Sequence, residues 1–105
     1  PIQTPWQHRD NYSAYHLYPI RIKQNKSGTT QRQVYDAMQL ADINVNLHYI
    51  PVYRQPYYEE MGFTAGYCPE AEQYHKETIS LPVYPALAKD KLDYIVETLM
   101  KELTI

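Results

Sequence analysis

Thr30–Ala41, TQRQVYDAMQLA, runs into Ile43–Tyr49, INVNLHY, with only Asp42 between them. The change of rhythm at that point decides the fold. In the first stretch Val34, Ala37, Met38 and Ala41 recur at spacings of three and four, which places them on one face of an α-helix. Thr30, with Gln33 three residues on, makes a capping box: each side chain satisfies a backbone donor that the helix start would leave orphaned. In the second stretch the period drops to two. Ile43, Val45, Leu47 and Tyr49 alternate with Asn44, Asn46 and His48, the pattern of a strand with one apolar and one polar face.

Working outward, Ser13–Ile22, SAYHLYPIRI, alternates Ala14, His16, Tyr18 and Ile20 with Tyr15, Leu17, Pro19 and Arg21, and predicts a further strand. Pro19 has no N–H, so that strand is expected at a sheet edge or at a bulge. The polar residues from Lys23 to Thr30 read as a turn, and Pro1–Asn11 as a loop or tail without period. Ile50–Tyr58 carries two prolines and reads as irregular and extended, with Pro56 opening a short helix that ends before Gly62. Pro69 opens another through about Thr78, with Ala71, Tyr74 and His75 facing inward. Ile79–Val83 predicts a third short strand. A closing helix over Lys89–Leu103 sets Leu92, Ile95, Val96, Leu99 and Leu103 on one stripe. The sum is an α+β domain: a small three-stranded, mainly antiparallel sheet with helices packed on one face.

Composition narrows the function classes. The 105 residues carry a net charge of -2, and the pI of about 6.1 is far from that of a basic nucleic-acid binder. Tyr15 and Tyr18, an odd number apart on the expected strand, fall on opposite faces and offer no common platform for bases. No apolar run approaches the ~20 residues that cross a bilayer. A lone cysteine, Cys68, forms no intrachain disulfide, so a reducing cytoplasm is the expected setting. The twelve tyrosines, against one Phe and one Trp, imply either a wet core or one half of an interface.

Among chemistry-bearing residues, Asn46 and His48 share the polar face of their expected strand, an amide beside an imidazole, suited to directed hydrogen bonds with a polar ligand. A solvated strand face is the alternative reading. Tyr53, Tyr57 and Tyr58 follow as walls of a pocket or as a contact surface. No metal is expected, because His8, His16, His48 and His75 lie far apart, without zinc-ligand spacing. Cys68 before Pro69 reads as a residue ahead of a helix rather than a nucleophile. Gly28, Gly62 and Gly66 are isolated and form no phosphate loop. Glu59 and Glu60 are adjacent, diverge on a helix, and suit a solvated face.

Taken in order, SAYHLYPIR (13–21), a helix opening with Arg32, NLHYIPVY (46–53), QPYY (55–58), Gly62-Phe63, CPEAE (68–72) and SLPVY (80–84) resemble the C-terminal part of the DegT/DnrJ/EryC1/StrS sugar aminotransferases. The likeness is greatest to the branch that makes UDP-4-amino-4,6-dideoxy-N-acetyl-β-L-altrosamine, a precursor of pseudaminic acid. It extends from Ser13 to about Leu103. The resemblance implies the small C-terminal domain of a fold-type-I aminotransferase that uses pyridoxal 5'-phosphate (PLP). Residues 1–12 would be an extended lead-in from a missing large domain, and 13–105 the small domain itself.

It further implies a nucleotide-linked 4-keto-6-deoxy sugar as substrate, an amino donor, and a homodimer when intact, with no nucleic acid or membrane. The cofactor lysine, the aspartate on the pyridine nitrogen and most phosphate contacts belong to the large domain, so this stretch is expected to hold no PLP and to be inactive alone. Asn46, His48 and Tyr49 carry over as substrate-contacting residues, with His16 as a weaker fourth and Pro51 shaping the turn. Many relatives carry His where this chain has Tyr53. On this reading Tyr49, Tyr53, Tyr57 and Tyr58 face the large domain, a partner subunit or the substrate. Beside it stands the reading as an independent small-molecule binding or dimerisation module without catalysis.

Overall fold

Ile20, Ile22 and Ile79 are almost fully buried and form the floor of the core. They sit on a three-stranded antiparallel sheet of order β1-β2-β3, built from β1 (Ile2–Gln3), β2 (Tyr18–Ile22) and β3 (Thr78–Leu81). Between β2 and β3 the chain forms α1 (Gln24–Ser27), α2 (Gln31–Leu40), a 3-10 turn (Val52–Arg54), α3 (Pro56–Glu60) and α4 (Pro69–Glu77); α5 (Lys89–Glu102) follows β3. This computed structural model describes residues 1–103; Thr104 and Ile105, the last two of the expected 13–105 domain, lie outside the described residues. The α+β architecture with a small antiparallel sheet is as the sequence predicts.

The helix capped by Thr30 forms as expected, over Gln31–Leu40. Thr30 and Gln33 make both halves of the capping box, and Val34 and Met38 are buried to zero exposure. At its far end Asp42 adopts a left-handed φ of 58°, the Asp42 N–H donates to Gln39, and the Ile43 N–H donates to Met38. This pair of bonds is a Schellman motif with Asp in the place usually held by glycine, and it turns the chain back so that Ile43 and Val45 drop into the core.

Several expectations are corrected. Ile43–Tyr49 is not a full strand: it joins β3 through one antiparallel bridge, Asn46 to Ser80, and beyond it Leu47 and Tyr49 are exposed. The reason lies on the β3 edge. Thr78, which a longer ladder would use, gives its N–H to Tyr74 and its carbonyl to the Gln31 amide, and Pro82 has no N–H. The third strand is instead β1, in the segment read as a loop, because Ile2 and Gln3 pair with Ile22 and Arg21.

In α4 no residue is buried, and Ala71 is exposed, although Ala71, Tyr74 and His75 were expected inside. This helix is held by polar ties: Glu77 accepts from Arg21 and Lys23, each at 2.7 Å, and the Arg21 guanidinium lies 5.5 Å from the centre of the Tyr74 ring. On α5, Ile95, Leu99 and Leu103 are buried, but Leu92 and Val96 stay exposed, because so small a sheet covers only a narrow stripe of the helix. Finally, Tyr15 lies outside β2 at φ 46°, and its ring comes within 5.4 Å of Tyr18 instead of facing away.

Pro19 lies in the middle strand, opposite Ser80. Both backbone groups of Ser80 bond to Asn46 on the far edge of β3, so Pro19 and Ser80 form a pair that exchanges no ladder bonds. The missing N–H of Pro19 therefore costs β2 and β3 nothing.

Candidate functional site

Strand alternation divides the sheet chemically. Ile20, Ile22 and Ile79 face α2 and α5; Pro19, Arg21, Thr78 and Ser80 face the opposite way. Asn46, opposite Ser80 in its bridge, projects to that same polar face. His48, two residues on, places Nδ1 2.9 Å from the Ser80 hydroxyl. The His48 and Tyr49 rings lie 4.6 Å apart at 52°, and the peptide joining them is cis. Ser80 is 3% exposed, His48 partly buried, and Asn46 and Tyr49 open to solvent. The arrangement is an amide, an imidazole and a phenol side by side, with only the imidazole anchored from beneath.

Of the four predicted site residues, Asn46, His48 and Tyr49 come together. His16 does not join them: it sits at an exposed bend before β2, and among the described residues no hydrogen bond or ion pair connects it to the other three. Ser80 is the residue that sequence reasoning missed. Its signal was the alternation Ile79-Ser80-Leu81, which places one small polar side chain on the face opposite the core.

Beyond His48 the chain leaves the sheet and builds an aromatic shelf. Ring centroids follow one another from Tyr57 to Tyr58 at 5.1 Å, Tyr58 to Phe63 at 6.3 Å, Phe63 to Tyr67 at 5.0 Å and Tyr67 to Tyr53 at 5.4 Å. None of the twelve tyrosines is buried, which decides against a wet core. Beneath the shelf Arg54 binds Glu59 at 3.0 Å and Glu72 at 3.1 Å, and Glu72 also accepts from the Gly66 N–H at 2.7 Å. Burial pushes the Glu72 carboxyl up, but the Gly66 N–H and the Arg54 guanidinium outweigh it and leave its pKa below the ordinary glutamate value. Burial and the nearby Glu72 charge raise the Tyr53 phenol. Glu59 pairs with Arg54 and, like Glu60, stays exposed, as expected of a solvated face.

Cys68 is exposed and caps the start of α4. Among the described residues no three His, Cys, Asp or Glu side chains gather as metal ligands, and no helix is long and apolar enough to cross a membrane.

The fold and sequence have clear relatives. The spore coat polysaccharide biosynthesis protein SpsC of Bacillus subtilis is 35% identical over 96 residues, covering 90% of this chain and 25% of SpsC. Among solved structures, Helicobacter pylori PseC, an aminotransferase involved in the biosynthesis of pseudoaminic acid, superimposes with a TM-score of 0.76 at 26% identity, over 88% of this chain and 24% of PseC. Spr1654 of Streptococcus pneumoniae, solved in its PMP form, gives a TM-score of 0.84 at 25% identity, over 98% of this chain and 26% of its own. The chain thus spans about a quarter of the length of the relatives it matches. The profile of one family covers residues 1–100, nearly the whole chain, and by that match the chain belongs to the DegT/DnrJ/EryC1/StrS aminotransferase family.

Proposed function

We propose that this chain is the C-terminal small domain of a PLP-dependent aminotransferase that aminates a nucleotide-linked 4-keto-6-deoxy sugar. Its role is to shape and close the substrate side of the site. The observation that carries the reading is the trio on the polar sheet face: Asn46 and Tyr49 open to solvent, flanking a His48 braced by Ser80. A sugar nucleotide is recognised through many oxygen atoms, and side chains that exchange directed hydrogen bonds while one is held from below suit that task. The likeness to PseC and SpsC supports a sugar substrate, and the PseC likeness supports one of the altrosamine type.

The cofactor does not fit this chain's own residues. A Schiff-base lysine works when desolvated and free to react. Here Lys23 is held by Glu77, Lys89 by Asp93, and Lys26, Lys76, Lys91 and Lys101 are all exposed. We therefore assign PLP to a large domain outside residues 1–105 and derive no step through it here. In the same proposal residues 1–12 lead in from that domain, with β1 as the point where the lead-in joins the sheet, and 13–105 form the small domain, working in the cytoplasm. The aromatic shelf, all of it outside the core, supports a homodimer of the intact protein.

The test is turnover by a full-length protein carrying this chain, with a nucleotide-linked 4-keto-6-deoxy sugar and an amino-acid donor. His48→Ala should lower sugar turnover at least about tenfold while PLP retention stays the same; a single lost hydrogen bond to a charged group accounts for that much. Unchanged turnover removes His48 from the site. For the chain alone, PLP followed by borohydride should leave only scattered, substoichiometric pyridoxyl label on the exposed lysines; a stoichiometric label at one lysine would overturn the assignment of the cofactor.

A further inference from the structure

The Ser80 hydroxyl and the His48 imidazole can be joined in two ways, and the surroundings choose between them. A serine hydroxyl is one donor and two acceptors, and a neutral imidazole is one donor and one acceptor. If His48 donated from Nδ1, the Ser80 proton would need another acceptor. Among the described residues Ser80 Oγ has no hydrogen-bond partner besides His48. At 3% exposure it has next to no access to solvent either. A buried donor without a partner costs far more than a made hydrogen bond returns, so Ser80 must donate to Nδ1.

From this we infer that Ser80 is a positioning residue: it fixes neutral His48 with its proton on Nε2, so that the trio meets its ligand with an N–H donor. His48 Nε2 then donates to an acceptor oxygen of the sugar nucleotide and does not accept a hydroxyl proton from it. Which atom presents the N–H follows from the sheet. Ser80 is held in β3 by both backbone bonds to Asn46, at 2.8 and 3.2 Å, so its hydroxyl is rooted in the same bridge that places Asn46 beside His48. One backbone bridge thus orients two of the three ligand-facing side chains. The ligand part rests on the function proposed above; the proton placement does not.

Nitrogen NMR of the intact chain, with His48 assigned through His48→Gln, tests the placement directly. The expected spectrum at neutral pH shows His48 Nε2 protonated and Nδ1 unprotonated but hydrogen-bonded. In Ser80→Ala the Nδ1 resonance should move to the position of an unpartnered nitrogen, and Ser80→Thr should restore it. A proton on Nδ1 in the unmodified chain overturns the inference without any variant having to fold, and so does an Nδ1 resonance unmoved in folded Ser80→Ala.

In the full-length protein Ser80→Ala should raise KM for the nucleotide sugar about three- to tenfold, with kcat within about twofold and recovery in Ser80→Thr. If the nitrogen spectra come out as expected and KM does not move, the substrate reading fails and the positioning stands. If turnover depends on His48 while Nδ1 carries the proton, the positioning fails and the substrate reading stands.

Discussion

Tyr53 and Cys68 are joined twice: the Tyr53 hydroxyl donates to the Cys68 carbonyl and accepts from the Cys68 N–H, each at 3.2 Å. One phenol thus pins the start of α4 to the turn after the HYIP segment. Tyr53→Phe should lower the melting temperature by about 4–8 °C, the effect of about 1 kcal/mol in a domain of this size. Hydrogen exchange at the Cys68 amide should quicken in the same variant, while that of β2 stays as it was.

Acid should loosen the molecule through two carboxylates. Burial raises Glu77, but Lys23, Gln73 and Arg21 outweigh it, so its pKa falls below the ordinary value of 4.5, as does that of Glu72. A carboxyl depressed on folding lends stability that is complete above the unfolded value and disappears as pH falls through the folded one. Thermal melts should therefore be flat from neutral pH down to about 5 and fall steeply below about 4.5. Glu77→Gln should start lower at neutral pH and show a shallower acid slope. A Glu77→Gln slope as steep as that of the unmodified chain would remove Glu77 from the explanation.

The two stripes of α5 should respond differently to truncation. Leu99 is 4% exposed and Val96 42%. Leu99→Ala should cost about 2–5 kcal/mol in urea unfolding, since it leaves a cavity in the hydrophobic core to which Leu99 belongs. Val96→Ala should stay below about 1 kcal/mol, as exposed substitutions do.

Thr30→Ala should cost about 0.5–2 kcal/mol, and Thr30→Ser should recover most of it, because the cap is a hydroxyl accepting from the Gln33 N–H at 3.2 Å. Equilibrium denaturation of the two variants side by side checks this.

These contrasts show where a one-dimensional pattern stops carrying information. The start of α2 was legible to the residue because Thr30 and Gln33 are only three apart and the capping chemistry is local. The inner stripe of α5 was legible for the same reason, but its width was not, since the amount of helix a sheet can cover depends on how many strands lie under it. β1 holds only two residues and has no period to detect. Ile43–Tyr49 had the right period for a strand and still forms a single bridge, because the Thr78 backbone is taken by Tyr74 and Gln31, which no pattern within 43–49 can reveal. At the candidate site, the shared face of Asn46 and His48 follows from alternation alone. Ser80 lies 32 residues from His48, and only the register of the bridge brings them together.

The pairing of Pro19 with Ser80 also bears on how the protein behaves in a crowded solution. Because Ser80 turns its backbone toward Asn46, Pro19 directs its own nitrogen away from β3, to the edge of β2 that β1 leaves unpaired after Arg21. An unpaired edge is a template on which another chain can add a strand, and such growth needs a run of donors. Proline interrupts that run at its middle. Replacing Pro19 by Val would leave the internal ladder whole and supply the missing donor, and concentrated solutions of Pro19→Val should form strand-rich aggregates, followed by light scattering, well before the parent chain does. The proline thus acts as a guard against self-association, spending no stability on the sheet it protects.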